Sequence, residues 1–515
     1  MEKTQDTPCS SIQEGALLQR IKNNIPPEDY AELSALLTSK NQSIKNLKQA
    51  LFGSKNEKSK KVLPDDPRKP DKPNHPPKGH GRRHSEDHTN ATEQCIAHET
   101  LRSGQRCPHC GKGRVYVTQK PAVIVRIHGH EPFSTTITRL QRLRCNTCGK
   151  SFTASAPADI STSKYDPAAV AMMALLKYGK GFPFHRLDKF MQTLGMHLPA
   201  TTQWDILNLA AGDFESIFAA LCRQAAQASL FHNDDTPVKI MDLKRKIHRK
   251  NTSDSATPQR RALQTSSIIA QTGLQRLALY FSGHDHAGEN LAKILALRAP
   301  ECSTGAAAPL QMCDGKPENV PKEFTTIVSN CLAHARRKYV EIYDNFPEEC
   351  RFIIEIFKGI YKNEAHARTE NLTPETRMCY HKDNSLPLLN QLKTWFHTQF
   401  EQKRIEPNSN LGQAIRYMTK RWTELTRFTQ IPGVPLDNNI CERALKMAIR
   451  SRKNSLFYKS VRGAKVGDIF MSLIHTCELN KINPFHYFIA VLNNPDLVRA
   501  QPDNWTPLNF HSQLS

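Results

Sequence analysis

Two Cys-x-x-Cys pairs constrain the fold of this chain more tightly than any other feature of its sequence. They are Cys107-Pro-His-Cys110 and Cys145-Asn-Thr-Cys148, and a glycine directly follows each. Each pair can present two thiolates to one tetrahedral ion, and two pairs complete a four-cysteine shell typical of structural zinc. The residues between them, with β-type runs at 115–118 and 123–127, predict a zinc ribbon over 91–160. A redox dithiol and two disulfides are the competing interpretations.

The length of the chain and one proline-rich segment predict several domains. The chain has 515 residues, whereas one domain usually has about 100 to 200. Within 54–90, six prolines fall between Pro64 and Pro77, and lysine and arginine recur. Such sequence cannot bury a core and stays extended. We therefore predict a linker over 54–90, either a solvated tether or an arm that slides along DNA.

The N-terminal segment, 1–53, carries a seven-residue apolar repeat at Tyr30, Leu37, Ile44 and Leu51. Seven-residue spacing places these side chains on one seam of a helix, which needs a partner helix. A short coiled coil that joins copies into a homo-oligomer and an ordinary amphipathic helix are both compatible with so few repeats.

The net charge favours a polyanionic partner. Lysine and arginine number 71 against 49 aspartates and glutamates, a formal charge of +22, and clustered cations bind phosphates by releasing condensed counterions. The longest apolar run, 168–176, is shorter than the ~20 residues of a membrane span. The N-terminus lacks the layout of a secretory signal, and most cysteines are scattered singly. These features predict a cytoplasmic protein that binds nucleic acid rather than membrane.

The hydrophobic period divides the rest of the chain. Residues 161–227 are helical in pattern, with a glycine turn at Gly195 that fits either a DNA-reading helix-turn-helix or a plain bundle. From 228 to 345 the pattern predicts three strands, a helix, two strands and a helix. The predicted strands and helices are 229–240, 265–271, 274–282, 287–298, 308–313, 324–329 and 332–345.

That order is typical of a ribonuclease-H-like core, although another mixed sheet has the same pattern. A helical insertion (346–430), a segment that completes the core (431–495, with a helix from about Ile440) and a tail (496–515) follow. The predicted fold class is therefore multidomain α/β, with an N-terminal helix, a zinc ribbon, a helical domain and a ribonuclease-H-like catalytic core with a helical insertion.

Three carboxylates stand at positions where such a core would bring them together. Asp234 lies on the first predicted strand, Asp314 ends the fourth, and Glu442 begins the last helix. Two-metal phosphoryl transfer needs oxygen ligands that converge on Mg²⁺ ions. Turn roles for the aspartates and a helix capping box for Glu442 are the alternatives, and Asp285 and Glu289 compete as candidate carboxylates. A basic stripe on the same helix suits a phosphodiester site or a solvated face; it comprises Arg443, Lys446, Arg450 and Lys453.

Several longer motifs resemble one family of proteins, the insertion sequence 66 family of transposases (TnpC type), a D-D-E group. The motifs are Gly181-Phe-Pro-Phe-His-Arg186, Asp234-Asp-Thr-Pro237, Asp314-Gly315, Cys331-Leu-Ala-His-Ala-Arg-Arg-Lys-Tyr339 and Asp437-Asn-Asn-Ile-Cys-Glu-Arg-Ala-Leu445. The resemblance runs from Leu36 to Leu492.

The resemblance implies a DNA transposase that cuts the ends of a mobile element and joins the 3′-hydroxyls to target DNA. Asp234, Asp314 and Glu442 match the family's catalytic carboxylates, which use two Mg²⁺ (or Mn²⁺) ions, while Arg336 and Arg337 would contact phosphate. The implied setting is the bacterial nucleoid, with accessory proteins of the same element as further partners. A non-catalytic DNA-binding relic or repressor is the alternative.

Departures from the family pattern lie close to these motifs. Lys316 stands where the family has an aromatic residue, and Ser455 where a tryptophan is common. Cys331 and His334 fall on one helical turn, where metal binding and packing at the helix start both remain open.

Overall fold

The computed structural model describes residues 93–118, 123, 126, 131–144, 146, 148, 150–155, 163–244, 262–298 and 308–513, with Pro26 and Tyr30. These residues belong to two compact units, divided near 155. The predicted heptad segment, the linker and Cys145 lie outside the described residues, apart from Tyr30. Tyr30 is helical, and its N–H donates to the carbonyl of Pro26 at 3.0 Å.

In the smaller unit, short antiparallel pairings flank both cysteine pairs. Strands β1 (Arg142–Arg144) and β2 (Ser151–Thr153) pair around the second, and an isolated bridge joins Arg106 to Arg114 around the first. The strand predicted at 115–118 is wrong. Val115 alone continues the local pairing, and the side chains of Tyr116 and Val117 stay exposed, so no buried face holds them in a sheet.

The larger unit begins with helices. They are α1 (Pro167–Ala174), a π-helical turn (Leu175–Gly179), α2 (Phe184–Thr193) and α3 (Ala200–Ala226). Along α3, Leu207, Phe214, Ile217 and Leu221 are buried. Because these residues recur on one face, α3 packs into the core.

A five-stranded sheet forms the centre of this unit, in the order β5-β4-β3-β6-β7. The strands are β3 (Leu230–Pro237), β4 (Gln264–Thr272), β5 (Gln275–Gly283), β6 (Leu310–Cys313) and β7 (Ile327–Asn330). The first three strands are antiparallel neighbours, whereas β3, β6 and β7 run parallel. Helix α4 (Ala287–Leu295) joins the two parts, and α5 (Leu332–Glu341) follows β7.

The observed bounds agree with the predicted strands and helices to within a few residues, and the mixed α/β class is confirmed. The agreement has a local cause. Runs rich in apolar and β-branched residues mark buried strands, as in β5, and β4 is buried along most of its length. Most residues of β3 are also buried, but several of them are polar. Residues 245–261, between β3 and β4, lie outside the described residues.

Helix α12 (Val461–Leu479) covers the edge strand β5. Side chains four residues apart along α12 and just beyond it accept from alternate backbone N–H groups of β5, at 2.7 to 3.2 Å. The donor and acceptor pairs are Ser282 with Asp468, Tyr280 with Ser472, Ala278 with Thr476 and Arg276 with Asn480. Four helical residues rise about 6 Å and two strand residues about 6.6 Å, so the two spacings match. The ladder satisfies N–H groups that an edge strand leaves open.

The predicted insertion is helical. Its helices are α6 (Pro347–Thr369), α7 (Pro374–Asn384), α8 (Leu386–Glu401), α9 (Asn410–Lys420) and α10 (Trp422–Thr426). Tyr339 of α5, Phe357 of α6 and Phe396 of α8 share one buried apolar cluster. The insertion therefore packs directly on the helix that follows β7.

The chain ends with α11 (Asn439–Ser455), α12, α13 (Pro484–Asn493) and α14 (Pro495–Ala500). The segment that the sequence presents as a tail is folded as far as 513. Trp505 is buried, the hydroxyl of Tyr487 donates to its carbonyl at 2.8 Å, and Asp503 pairs with Arg223 of α3 at 2.7 Å.

Candidate active site

Asp234 lies on β3, and Asp314 directly follows β6, the adjacent parallel strand. The paired positions of these strands end with Phe231 opposite Gln311 and His232 opposite Met312. Asp314 is nevertheless close enough to Asp234 for its charge to act on the pKa of Asp234. Both aspartates are buried, at 8% and 7% exposure.

Asp314 is held by its neighbours in the loop that follows β6. Its carboxylate accepts from the side-chain amide of Asn319 at 2.7 Å and from the N–H of Lys316 at 3.0 Å. The ammonium of Lys316 lies 2.7 Å from its other oxygen. The intervening Gly315 has φ +83°, and a Cβ there would come within 3.0 Å of Arg421 and Asn330. A glycine is thus required for this turn.

The two aspartates differ in their electrostatic environment. Burial, together with the charge of Asp314, raises the pKa of Asp234 to about 6. Burial also acts to raise the pKa of Asp314, but the hydrogen bonds and charge of Lys316 outweigh it, and that pKa lies below its ordinary value. The pair therefore has an excess of negative charge that Lys316 only partly balances.

Helix α11 is fixed to the sheet at its first turn by Asn438. The side chain of Asn438 contacts the ring of His232 at 3.0 Å and donates to the carbonyl of Asn233 at 3.1 Å. Its N–H donates to the sulfur of Cys331 at 3.2 Å. One buried residue thus ties the start of α11 both to β3, two residues before Asp234, and to the start of α5. Glu442, one turn along α11, is positioned by these contacts.

Glu442 does not form the capping box that its sequence context allows. The N–H of Asn439 donates instead to Asp437, at 3.1 Å. Among the described residues, one carboxylate oxygen of Glu442 is buried without a hydrogen-bond partner and lies 3.5 Å from Nδ1 of His334, and the other lies 3.8 Å from Arg337. A buried acceptor left open in this way suits a ligand rather than a cap.

Cys331, His334 and Glu442 offer one ligand atom each within 4.8 Å of one another. Among the described residues this is the one such cluster of three histidine, cysteine or carboxylate groups, so the predicted triad of Asp234, Asp314 and Glu442 does not come that close together in this structure. Burial raises the pKa of the Cys331 thiol to about 12. Burial also lowers the pKa of His334, against the opposing charges of Glu442 and Asp314. His334 is therefore close enough to feel both of these carboxylates.

The basic stripe predicted on α11 lies on the exposed side of the helix. Arg443, Lys446, Arg450 and Lys453 are exposed. Cys441, Ala444, Leu445 and Ala448 form the buried face. Arg336 and Arg337 of α5 are partly buried. The basic and the apolar side chains thus lie on different faces of α11, as their spacing in the sequence predicts.

Of the two cysteine pairs, the structure describes Cys107, Cys110 and Cys148 but not Cys145. The carbonyl of Cys107 accepts from the N–H of Gly111 at 2.9 Å, and Gly111 has φ +64°. Hydrogen bonds from the backbone of Gly113 and Lys112, then from Cys107, lower the pKa of the Cys110 thiol. This turn favours a thiolate. Because Cys145 lies outside the described residues, the four-cysteine site stays a prediction.

Several residues at the site escaped the reasoning from sequence. Asn319 and Asn438 make the contacts that position Asp314 and α11, and Lys316 was noticed only as a departure from the family. The insertion also reaches the site, because the hydroxyl of Tyr417 donates to the carbonyl of Asp314 at 3.0 Å. The position of Lys316 two residues after an aspartate was a signal that could have revealed it.

Comparison with known proteins identifies the family. The model of the transposase IS66 family matches residues 162–466. A protein of Sinorhizobium fredii (strain NBRC 101917 / NGR234), uncharacterized protein y4hP, is 25% identical over 403 residues, 75% of this chain and 70% of that protein. Another from the same strain, uncharacterized protein y4jD, is 32% identical over 164 residues, 32% of this chain and 31% of that protein.

A mixed α/β protein with paired carboxylates on its central strands fits the class of enzymes that process nucleic acid. More specifically, the chain belongs to the transposase IS66 family, as its motifs predict. Membership implies a transposase role, with DNA binding and use of a divalent metal ion. In the described part of the chain, no helix combines the length and the apolar character that crossing a membrane requires.

Proposed function

We propose that the protein is a DNA transposase whose ribonuclease-H-like core cuts element ends and joins the 3′-hydroxyls to target DNA, in the cytoplasm and at the nucleoid. The observation that carries the proposal is the proximity of two buried aspartates, Asp234 on β3 and Asp314 directly after the parallel strand β6. The third group, Glu442, comes from a helix fixed to one of those strands. The strand order, with β3 central, β4 antiparallel to it and β5 antiparallel to β4, supports a ribonuclease-H-like core.

The carboxylates suit Mg²⁺ or Mn²⁺. Burial and the charge of Asp314 raise the pKa of Asp234, and the ammonium of Lys316 stands where a cation is favoured. One oxygen of Glu442 has no hydrogen-bond partner among the described residues. Oxygen ligands of this kind are those that Mg²⁺ and Mn²⁺ accept. We propose Asp234, Asp314 and Glu442 as the ligands of two ions, which would supply charge stabilisation for phosphoryl transfer. The cysteine pairs would hold a structural zinc ion.

The surrounding residues would hold the DNA strand and the carboxylates in place. The exposed Arg443, Lys446, Arg450 and Lys453 would bind phosphates of the DNA backbone, together with Arg336 and Arg337. A cleft of about 430 Å³ beside Asp314, lined by Lys316, Lys420 and Arg421 among others, offers further positive charge. His334 and Arg337 would orient Glu442, which they approach at 3.5 and 3.8 Å.

Asp234→Asn is expected to abolish metal-dependent cleavage while it leaves DNA binding within about twofold, because the amide keeps the shape of the side chain and loses its charge. The substrate is a supercoiled plasmid that carries the DNA flanking the gene on both sides. Nicking, and joining to a second plasmid, are measured with Mg²⁺ and with Mn²⁺. Asp285→Asn is the matched control, since Asp285 is 46% exposed and pairs with Lys293 on the surface.

Cleavage by Asp234→Asn at the wild-type rate would contradict the proposal. Binding without cleavage by the wild-type chain would favour the non-catalytic relic. Cleavage without joining would indicate a nuclease of the same fold.

Lys316→Ala is expected to strengthen Mn²⁺ binding about tenfold, because a fixed positive charge beside Asp314 opposes a divalent cation by roughly the energy of one pKa unit. Isothermal titration calorimetry on the full chain measures the affinity, and Lys322→Ala is the control because Lys322 is exposed. Unchanged or weaker Mn²⁺ binding by Lys316→Ala would show that Lys316 does not compete for the cation position.

A further inference from the structure

A small cavity of about 30 Å³ lies at the C-terminal end of α11, between the π-helical turn and the end of β3. Its polar lining consists of two cations, Lys177 and Arg452, and five residues with hydroxyl groups: Thr236, Thr265, Ser451, Ser455 and Tyr458. Among the described residues, no carboxylate lines it. The cavity therefore concentrates positive charge and hydrogen-bond donors without a resident anion.

Lys177 is the least ordinary of these residues, because it is a buried lysine with 7% exposure. Its ammonium donates to the hydroxyl of Ser455 at 3.0 Å and lies 4.7 Å from the ring centre of Phe184. Burial lowers its pKa to about 8. Buried cations are usually paired with an anion, because desolvation without a partner is costly. A neutral hydroxyl and a ring only partly compensate such a charge.

Arg452 supplies the second cation. Its guanidinium donates to the hydroxyl of Thr236 at 3.2 Å and to the carbonyl of Pro237. Both partners lie on β3, two and three residues after Asp234. The cavity is thus attached to the strand that carries the first proposed catalytic carboxylate.

The residues at the mouth of the cavity are apolar, and the backbone of one of them is strained. Leu456 has φ +67°, a left-handed conformation that non-glycine residues rarely adopt. The side chains of Leu456 and Phe457 are 63% and 47% exposed. Strained residues with exposed apolar side chains are found more often at binding sites than elsewhere. These two residues could contact the sugar and base next to a bound phosphate.

We propose that this cavity binds a phosphate group of a DNA strand, held by Lys177 and Arg452 and by the hydroxyls of Ser451 and Ser455. The inference rests on the proposed function in taking DNA as the substrate. Room of about 30 Å³ admits groups the size of one or two water molecules, so phosphate oxygens enter and a base does not. The bound phosphate would fix the position of the DNA strand along β3.

Lys177→Met is expected to weaken binding of a DNA duplex from the gene's flanks about tenfold, and to lower the slope of log affinity against log salt by about one. Fluorescence anisotropy without divalent metal measures both. Lys177→Arg keeps the charge and should retain most of the affinity. Lys180→Met is the matched control, because Lys180 lies three residues away and is 58% exposed. Thermal unfolding verifies that each variant is folded.

Two further measurements identify the source of the phosphate. Inorganic phosphate should raise the unfolding temperature of the wild type more than that of Lys177→Met. Phe457→Ala should weaken DNA binding and leave unchanged the rise in unfolding temperature that inorganic phosphate causes. If Lys177→Met bound DNA with the wild-type affinity and salt slope, the proposal would be overturned. If inorganic phosphate still stabilised the wild type more than Lys177→Met, the cavity would be assigned to free phosphate instead. Because binding is measured without metal, this outcome is independent of cleavage by Asp234→Asn.

Discussion

Replacing Glu442 by glutamine is expected to lower the rate of metal-dependent strand cleavage by about 10³-fold or more, a loss typical of removing a preorganised charged group from an active site. Glutamine has nearly the same shape, so α11 should remain in place, held by the contacts of Asn438 with β3. Glu442 approaches His334 and Arg337 at 3.5 and 3.8 Å, and such partly exposed pairs contribute about 0 to 1 kcal/mol. Cleavage assays should therefore show a large effect, and urea unfolding a small one.

Glu478→Gln is the matched control for this substitution. Glu478 lies on α12 and also approaches a histidine, with Oε2 3.7 Å from Nδ1 of His475. It contacts neither His334 nor Arg337, which approach Glu442, so cleavage should remain at the wild-type rate. A large loss of stability in Glu442→Gln, with cleavage reduced only in proportion to the folded fraction, would assign Glu442 a structural role.

Glu364→Ala is expected to lower the free energy of unfolding by about 3 to 5 kcal/mol, the usual effect of removing one partner from a buried ion pair. Glu364 is 5% exposed. Its carboxylate lies 2.8 Å from both Arg368 and Arg377, and 2.9 Å from the ring of His381, which is fully buried. Without Glu364, the guanidinium of Arg377 and the imidazole would keep their burial and lose their anion. Urea unfolding of the full chain measures the change.

The control for Glu364 is Glu401→Ala. Glu401 also pairs with a histidine, His397, at 2.8 Å, but both side chains are more than 60% exposed. Exposed pairs of this kind contribute about 0 to 1 kcal/mol, so the control should change stability little. Equal losses in the two variants would contradict the role assigned to the buried network.

The stabilisation by Glu364 should depend on pH. Burial acts to raise the pKa of Glu364, but His381, Arg377 and Arg368 outweigh it and lower the pKa to about 2. A carboxylate with a depressed pKa stabilises the fold fully above its unfolded pKa, about 4.3, and loses that contribution as the pH falls toward 2. The difference between wild type and Glu364→Ala should therefore be constant above about pH 5 and shrink at pH 3.

The same network supports the site from a distance. Arg377, which Glu364 holds, donates to the carbonyl of Val434 at 2.9 Å, a few residues before Asn438 and α11. The insertion thus contacts the segment that leads into α11, through the carbonyl of Val434, and the loop after β6, through the hydrogen bond from Tyr417 to Asp314. The pattern of the sequence predicts a helical insertion, but it carries no signal for these contacts.

Local pattern was sufficient for much of the fold. The change of hydrophobic period predicts all five strands of the central sheet, although β3 also carries buried polar residues. The pattern failed at 115–118, where the side chains of Tyr116 and Val117 are exposed and the run joins no sheet among the described residues. The carboxylates Asp234 and Asp314 could be paired in advance, because the ends of adjacent parallel strands meet at one edge.

The sequence by itself determined the order of helices and strands, the family, and the residue types available at the candidate site. The tertiary structure decided which residues act together: Asn438 reaches His232 across 206 positions of the chain, and α12 supplies the acceptors for β5. Lys316 beside Asp314 and Lys177 within its cavity also depend on packing. Contacts between distant residues follow from how elements pack in three dimensions, whereas hydrophobic period reports only which face of each element is buried.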